Sequence, residues 1–219
     1  MKYLGIPQSG SQAGVTASRN RNGQYLRSRA IPVNPRSASQ GQVRARLSAN
    51  SATWRTLDSA TRAGWADLAD SFHRKDALGQ DYTPTGFQMF VSVNNNRLNA
   101  GDAVVTAAPA LVTPPALLTA VVTTTAGTLS VAYTATPLAA GNRVFAFASP
   151  QRSAGRAFES DYRLISVSAA AAASPLNLLA SYTAKFGAPV LTNRIFFSLQ
   201  VYAAGFMSGP IITSVVVSA

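Results

Sequence analysis

The chain lacks most of the side chains that enzymes use for chemistry. Its 219 residues include no cysteine, one histidine and one glutamate. Without cysteine, disulfides and thiolate metal sites are excluded. The single histidine, His73, stands next to Arg74 and Lys75, a setting typical of an exposed helix end rather than of a catalytic base. We therefore expect a protein that is not an enzyme and has no cofactor, metal or small-molecule substrate.

Acidic residues are also missing from residues 1–57, which carry nine of the nineteen basic residues. Residues 103–219 hold only eight charged residues of either sign. The net charge is +11, and sixteen of the basic residues are arginine. Arginine suits interfacial contacts because its planar guanidinium is weakly hydrated and makes several hydrogen bonds at once. A basic excess of this kind favours anionic partners.

The first 36 residues predict a basic extended arm that contains a β-hairpin. Asn22-Gly23 separates two short segments, 14–19 and 24–31, and both turn residues tolerate positive φ. The period of two along a strand places Tyr25, Arg27 and Arg29 on one face of the second strand. Strands lined by arginine make poor free-standing hairpins, so we expect this one to pack on another molecule.

Residues 37–101 predict three short helices. Ser37 begins the first, which runs to about residue 56 with Val43, Leu47 and Trp54 on its apolar stripe. Asp58 caps the second, over about 59–72.

Thr83-Pro84 predicts the start of the third helix, over about 84–98, and Gly101 follows closely enough to end it. The predicted bundle core consists of the large aromatic residues Trp54, Trp65, Phe87 and Phe90.

Residues 102–115 are rich in proline and alanine and predict a linker. After it, residues 116–219 predict an antiparallel β-sandwich of the immunoglobulin-like type, because short alternating segments are separated by turn residues. The seven expected strands are 117–124, 127–134, 142–148, 161–168, 177–184, 194–202 and 210–218. The fold class predicted for the whole chain is therefore α+β with several domains. No apolar run of membrane-spanning length is evident, so we expect no membrane contact.

One pattern over about the first hundred residues combines the basic segment 18–29 around Asn22-Gly23, the Pro32-Val33-Asn34-Pro35 turn and the helical residues from Gln40 to Trp65. The segment from Thr85 to Asn94 looks like part of the same pattern. On these residues the chain resembles a family of uncharacterised tailed-phage and prophage proteins. The family implies no activity. The second half resembles the immunoglobulin-like and fibronectin-type modules that phage structural proteins often carry.

The resemblance implies a structural protein of a bacteriophage virion, made in the host cytoplasm and located in the capsid, neck or tail. Its partners would be other virion proteins and copies of itself, as a homo-oligomer. The residues expected at the assembly interface, or in contact with nucleic acid, are Arg19, Arg21, Tyr25, Arg27, Arg29, Arg36, Arg44 and Arg46.

Two other functions stay open at this point. The arginine-rich N-terminal region would suit a DNA-binding or packaging-associated protein, because arginine neutralises phosphate and Tyr25 offers a ring for stacking. The sandwich would suit adhesion to a host surface or glycan if its tyrosines are exposed, namely Tyr133, Tyr162, Tyr182 and Tyr202.

Overall fold

The computed structural model describes residues 9–20, 23–31, 33–75, 79–125, 127–134 and 138–218. The protein is of mixed α+β class, with four helices and several antiparallel sheets among the described residues. The chain divides into two compact units, Met1–Arg44 and Ala45–Ala219. The predicted division into arm, helical segment, linker and sandwich stays a prediction.

The unit Met1–Arg44 contains a three-stranded antiparallel sheet formed by β1 (Gly10–Gln12), β2 (Val15–Asn20) and β3 (Gly23–Ser28). Pairing of β2 with β3 confirms the predicted hairpin strands. Gly23 has a positive φ of +109°, but it pairs with Asn20 as the first residue of β3 and is not the turn residue that was predicted. Arg21 and Asn22 lie outside the described residues. Strand β1 was not predicted, because Gly10-Ser11-Gln12 has no apolar alternation.

Helix α1 (Ala38–Thr56) begins where expected, because the Gln40 amide donates to the Ser37 hydroxyl oxygen at 3.3 Å. The predicted apolar stripe is wrong for Val43 and Leu47, which are 63% and 47% exposed, whereas Trp54 packs against the helical core. The buried residue of this helix is instead Asn50.

The physical reason lies on α3 (Gly86–Ala100), which presents amide side chains to α1. The Asn50 amide donates to Asn95 Oδ1 at 3.4 Å, and Arg46 Nη1 donates to Asn99 Oδ1 at 2.6 Å. The contact between α1 and α3 is therefore partly polar. Helix α1 faces inward with the side that carries Asn50, not with the side that carries Val43 and Leu47.

Helix α2 (Ser59–Asp70) has the predicted N-cap, because the Asp58 carboxylate accepts from the Thr61 amide at 2.7 Å.

The N-cap of the third helix was predicted two residues too early. Thr85, rather than Thr83, caps α3 and forms a reciprocal capping box with Gln88. A Cβ on Gly86 would lie 3.0 Å from the Ala66 amide nitrogen, so glycine permits the close approach of α3 to α2. Between α2 and α3 lies a short antiparallel pair, β4 (Arg74–Lys75) and β5 (Asp81–Tyr82).

The rest of the chain forms two further sheets. The first is antiparallel with the order β10-β7-β6, where β6 is Thr119–Thr125, β7 is Thr128–Thr134 and β10 is Leu176–Asn177. The second has β11 (Arg194–Ala203) between β8 (Arg143–Ala148) on one side and β13 (Ile211–Val216) with the short β12 (Phe206–Met207) on the other. Strand β9 (Arg163–Val167) pairs with the far edge of β8. Six of the seven predicted strand positions contain a strand.

The exception is the segment 177–184, which was predicted as a strand and is mostly helix α4 (Leu179–Phe186). Leu178 and Tyr182, four residues apart, are both buried, and Phe186 packs against the same core. This spacing is helical, since side chains four residues apart share a helix face. The strand prediction for 177–184 was wrong because its apolar residues repeat with the helical period of about 3.6, not with the strand period of two.

The largest core cluster draws on both sheets and on α4. It includes Val131 of β7, Val144 of β8, Phe197 of β11 and Tyr182 of α4. A second cluster surrounds Trp65 and Phe90 of the helices and also contains Phe206 of β12.

The segment 102–115 contacts the helices through its backbone. The Trp65 indole N–H donates to the Thr106 carbonyl at 2.7 Å. The Asn94 amide bonds the backbone of Val105 in both directions, at 2.9 and 3.0 Å. These bonds attach the proline-containing segment to α2 and α3.

Candidate assembly interface

The sheet of the unit Met1–Arg44 has two chemically different faces. Antiparallel register pairs Thr16 with Arg27 and Ser18 with Tyr25, so these four side chains share one face, here called the tyrosine face. Arg29 follows in the same alternation, and its backbone amide donates to the Gly14 carbonyl at 2.8 Å. The structure therefore brings together Tyr25, Arg27 and Arg29, as the sequence predicts.

Arg19 lies on the opposite face, where the register pairs it with Gln24. The same face carries Val15, Ala17 and Leu26, which line a cavity of about 820 Å³ together with residues of β1 and its turn. Val15 is 43% exposed and Leu26 is half-buried. Arg19 thus lies on the opposite side of the sheet from Arg27.

The unit Met1–Arg44 has no core of its own among the residues described. None of its described residues is buried. It also has no Asp or Glu, while Lys2 and six arginines give it a formal charge of +7. No carboxylate side chain within the unit is therefore available to pair with a guanidinium group.

The backbone amide of Arg36 and the guanidinium of Arg44 both donate to the neutral side chain of Asn34. Asn34 Oδ1 accepts from the Arg36 amide at 3.2 Å and from Arg44 Nη2 at 3.3 Å. Arg36 has a φ of +49°, a left-handed conformation that is uncommon outside glycine. Arg44 is exposed, so its remaining donors face solvent.

Arg46 belongs to the other unit and is occupied by its bond to Asn99. It is half-buried, unlike Arg27, Arg29 and Arg44. Sequence reasoning grouped it with the arm because it follows Arg44 by two residues. On a helix that spacing is about 200°, so neighbouring arginines point to different sides.

Of the predicted bundle core, Trp65 and Phe90 have no exposed area, and their rings meet edge to face at 5.2 Å. Trp54 is half-buried, 5.4 Å from Phe90 and 5.7 Å from Phe87. Phe87 is half-buried at the margin of the cluster. The core residues that sequence reasoning missed are Met89, Val93 and the distant Phe206.

Glu159 is a buried carboxylate, only 3% exposed. Its Oε1 accepts from the amides of Ser160 and Asp161 at 2.9 and 3.0 Å, and its Oε2 accepts from Arg152 Nε. The Asp161 amide and the Arg152 guanidinium lower the pKa of Glu159 to about 2. An acid ionised over the whole neutral range anchors a loop and is a poor general acid.

The tyrosines that would have supported adhesion are mostly buried. Tyr133, Tyr182 and Tyr202 are at most 3% exposed, and burial raises the pKa of each. Their hydroxyl groups donate to the Ala172 carbonyl, the Ser149 carbonyl and the Asp102 carboxylate, respectively. Only Tyr162 of the four retains partial exposure. The expectation of a tyrosine-lined surface is therefore wrong.

Within the described part of the chain, no three His, Asp or Glu side chains lie close enough to hold a metal ion. Across the same residues, no helix combines the length and apolarity needed to cross a bilayer. Compared with protein-family models, curated proteins and solved structures, the chain matches none.

Proposed function

We propose that this chain is a non-enzymatic structural protein of a tailed-phage virion, assembled through its basic unit Met1–Arg44. Its partners are other virion proteins and copies of itself, in the capsid, neck or tail, after synthesis in the host cytoplasm. The phage assignment rests on the family resemblance of residues 18–94. The assembly role rests on the structure of the basic unit.

The observation that supports assembly is the absence of buried residues among the described part of Met1–Arg44, combined with the absence of carboxylates in that unit. Hydrophobic burial is the main source of folding free energy, and ion pairing needs an opposite charge. A unit that lacks both internally obtains them from a neighbour.

The neighbour's contribution follows from the chemistry of the tyrosine face. Arg27 and Arg29 offer several N–H donors each, and a charge-assisted bond to a carboxylate contributes about 1.5–3 kcal/mol when desolvated. Tyr25, which is half-buried on the same face, supplies the aromatic anchor typical of interface hot spots. The expected partner surface is acidic, with an apolar depression that takes the tyrosine ring.

For the second half we propose the immunoglobulin-like sandwich as an outward or lateral face of the particle. Two antiparallel sheets that contribute to a common core support a sandwich. Helix α4, where a strand was predicted, is a departure from the simplest seven-stranded arrangement.

The direct test is whether the protein is part of a particle. Phage particles purified from the host culture that carries the gene are analysed by quantitative mass spectrometry, with tagged variants expressed in place of the native chain. We expect many copies per particle, and we expect the double variant R27A/R29A to be lost from particles. The control is R74A, which removes an exposed arginine of the other unit. Absence of the native chain from purified particles would contradict the proposal.

The second candidate, DNA binding or packaging, is favoured by one observation: an aromatic ring and two arginines share the tyrosine face. A salt titration on duplex DNA separates the two functions. If Arg27 and Arg29 contact phosphate, the logarithm of the affinity falls by about 0.9 per phosphate neutralised for each tenfold rise in salt. No binding at low salt removes this candidate. For adhesion, the burial of three of the four tyrosines leaves no specific observation in its favour.

A further inference from the structure

An open cleft lies on the outer side of the second sheet, here called the Phe158 cleft. Its lining includes Phe158, Phe196 of β11 and Ile212 of β13, and its volume is about 270 Å³. Phe196 is buried but faces away from the main core, because the adjacent Phe197 belongs to that core and successive strand residues alternate. Phe158 and Ile212 are 72% and 58% exposed. Large apolar side chains gathered around one concavity are typical of an interaction site.

The loop that carries Phe158 is held by polar contacts on both sides of the exposed ring. The Phe158 carbonyl accepts from Arg156 Nε at 2.7 Å. The next residue is Glu159, whose buried carboxylate pairs with Arg152 and Arg156 and accepts the two following backbone amides. These contacts fix the backbone around the ring, so the cleft is preformed. A preformed site has less conformational entropy to lose when a partner binds.

Two arginines lie side by side on the same sheet, at the start of β11. Arg152 and Arg194 form an antiparallel bridge and exchange backbone hydrogen bonds of 2.9 and 2.7 Å. Side chains directly opposite each other in such a pair are neighbours, and like charges there are destabilising. Glu159 compensates Arg152, whereas Arg194 Nε is buried without a hydrogen bond and no described carboxylate pairs with Arg194. An anion is therefore missing beside Arg194.

The missing anion and the cleft lie at the spacing of an extended peptide. Arg194 precedes Phe196 by two residues on β11, so their side chains leave the same face of the sheet roughly 7 Å apart. Alternate side chains of an extended peptide have this same separation. One strand-like segment laid along β11 can therefore place an apolar side chain in the cleft and a carboxylate near Arg194.

We propose that the Phe158 cleft binds an extended segment of a partner protein in which a large apolar residue and an acidic residue are two positions apart. The apolar side chain of the partner covers Phe158 and Ile212. Its carboxylate accepts from the guanidinium of Arg194 and separates the two like charges of Arg152 and Arg194. The proposal does not depend on the role of the basic unit.

The shape and charge of the cleft favour a different protein over other occupants. Its volume of about 270 Å³ lies below the ~300–1,000 Å³ of small-molecule sites, which enclose most of their ligand. A second copy of this chain is poorly suited as the acidic partner. Four of its eight acidic residues are already in ion pairs, namely Asp81, Asp102, Glu159 and Asp161.

A library of random short peptides displayed on yeast tests the proposal without presupposing the partner. The bait is the full-length native protein. We expect the enriched peptides to share a large apolar residue and an Asp or Glu two positions away. Enrichment of no peptide, or of peptides that lack this acidic residue, would overturn the proposal.

Variants of the full-length protein then connect an enriched peptide to the cleft. Phe158→Ser and Arg194→Gln should each weaken binding of the synthetic peptide at least about tenfold, measured by fluorescence anisotropy. The matched controls are Leu118→Ser, which removes a side chain 76% exposed outside the cleft, and Arg74→Gln, which removes an exposed arginine of β4. The controls should bind as the native protein does. Equal affinities for the native protein and Phe158→Ser would overturn the proposal.

A double-mutant cycle identifies the partner of Arg194. Replacing the acidic residue of the peptide by its amide removes the same contact as Arg194→Gln, so the two changes together should weaken binding no more than either one alone. Losses that multiply would mean that the carboxylate binds elsewhere, and would overturn the proposal. Circular dichroism checks the fold of each variant. Because the Phe158 ring is largely exposed, Phe158→Ser keeps the test decisive if Arg194→Gln does not fold. A dimer of the native protein that Phe158→Ser abolishes would also overturn the proposal, since a second copy would then occupy the cleft.

Discussion

The two units of this chain differ in where their stabilising contacts lie. In Ala45–Ala219 the described residues form three core clusters that bury large side chains. This unit contains eight acidic and twelve basic residues. The Asp102 carboxylate, for example, accepts from Tyr202 and pairs with Arg143 at 3.3 Å. In Met1–Arg44 no described residue is buried and no carboxylate side chain exists. One unit is therefore stabilised by its own buried contacts, whereas the described side chains of the other are half-buried or exposed.

The largest expected difference comes from removing one aromatic ring in each unit. Phe90→Ala removes a fully buried ring that contacts Trp54 and Trp65, so we expect the free energy of unfolding to fall by about 3–5 kcal/mol. Tyr25→Ala in the other unit should change it by less than about 0.5 kcal/mol. Urea unfolding followed by tryptophan fluorescence and circular dichroism measures both. Similar losses for the two variants would show that the basic unit has a core after all.

A smaller effect is expected where the turn after β11 meets α3. Gly205 has a φ of +103°, and a Cβ there would lie 2.6 Å from Val93 Cγ1. Because neither the backbone nor the packing accommodates a methyl group, Gly205→Ala should destabilise by about 1–3 kcal/mol. The control is Gly209→Ala, where nothing lies within 4 Å of the added atom. Thermal unfolding distinguishes the two, and equal melting temperatures would show that the turn moves freely.

Acid should weaken the unit Ala45–Ala219 through Glu159. Its pKa falls from 4.5 to about 2 on folding, so the unfolded state binds this proton first as the pH decreases. The stabilisation is fully present above pH 4.5 and is lost as the pH falls toward 2. Melting temperatures of the native protein and of Glu159→Gln should differ at neutral pH and converge in acid. A constant difference between the two across this range would mean that Glu159 titrates normally in the folded state.

The smallest effect is expected on the exposed side of α1. Val43 is 63% exposed, and valine and serine have similar helix propensities, so Val43→Ser should change the free energy of unfolding by no more than about 0.5 kcal/mol. The same variant tests whether this side of the helix is covered in particles. Unfolding in urea measures the change in the free energy of unfolding. A loss of several kcal/mol would mean that the apolar stripe predicted from the sequence is buried.

Local signals were sufficient for the features that depend on neighbours along the chain. Ser37 and Asp58 cap their helices as predicted, because a cap needs only a side-chain oxygen and the next few amides. The β2–β3 pair follows from Asn22-Gly23, and most later strands follow from their alternation. The tyrosine face was predictable for the same reason, since period two alone places Tyr25 with Arg27.

Two of the missed features were in fact local. Thr85-Gly86-Phe87-Gln88 has the spacing of a capping box, so the correct N-cap of α3 was readable from the sequence. The Glu159 carboxylate is likewise held by nearby residues, namely Arg152, Ser160 and Asp161. Phe206 is different, because it packs in the helical core although more than a hundred residues separate it from Phe90. No short window of sequence predicts that contact.

The sequence by itself determined the distribution of charge: an acid-free basic leading segment and an uncharged stretch over 103–142. Charge is a property of composition and does not depend on folding. The tertiary structure decided which side of each element faces inward, so that Asn50 is buried while Val43 is exposed, and Arg19 is separated from Arg27. Orientation depends on the surface that each element meets, and only the folded chain supplies that surface.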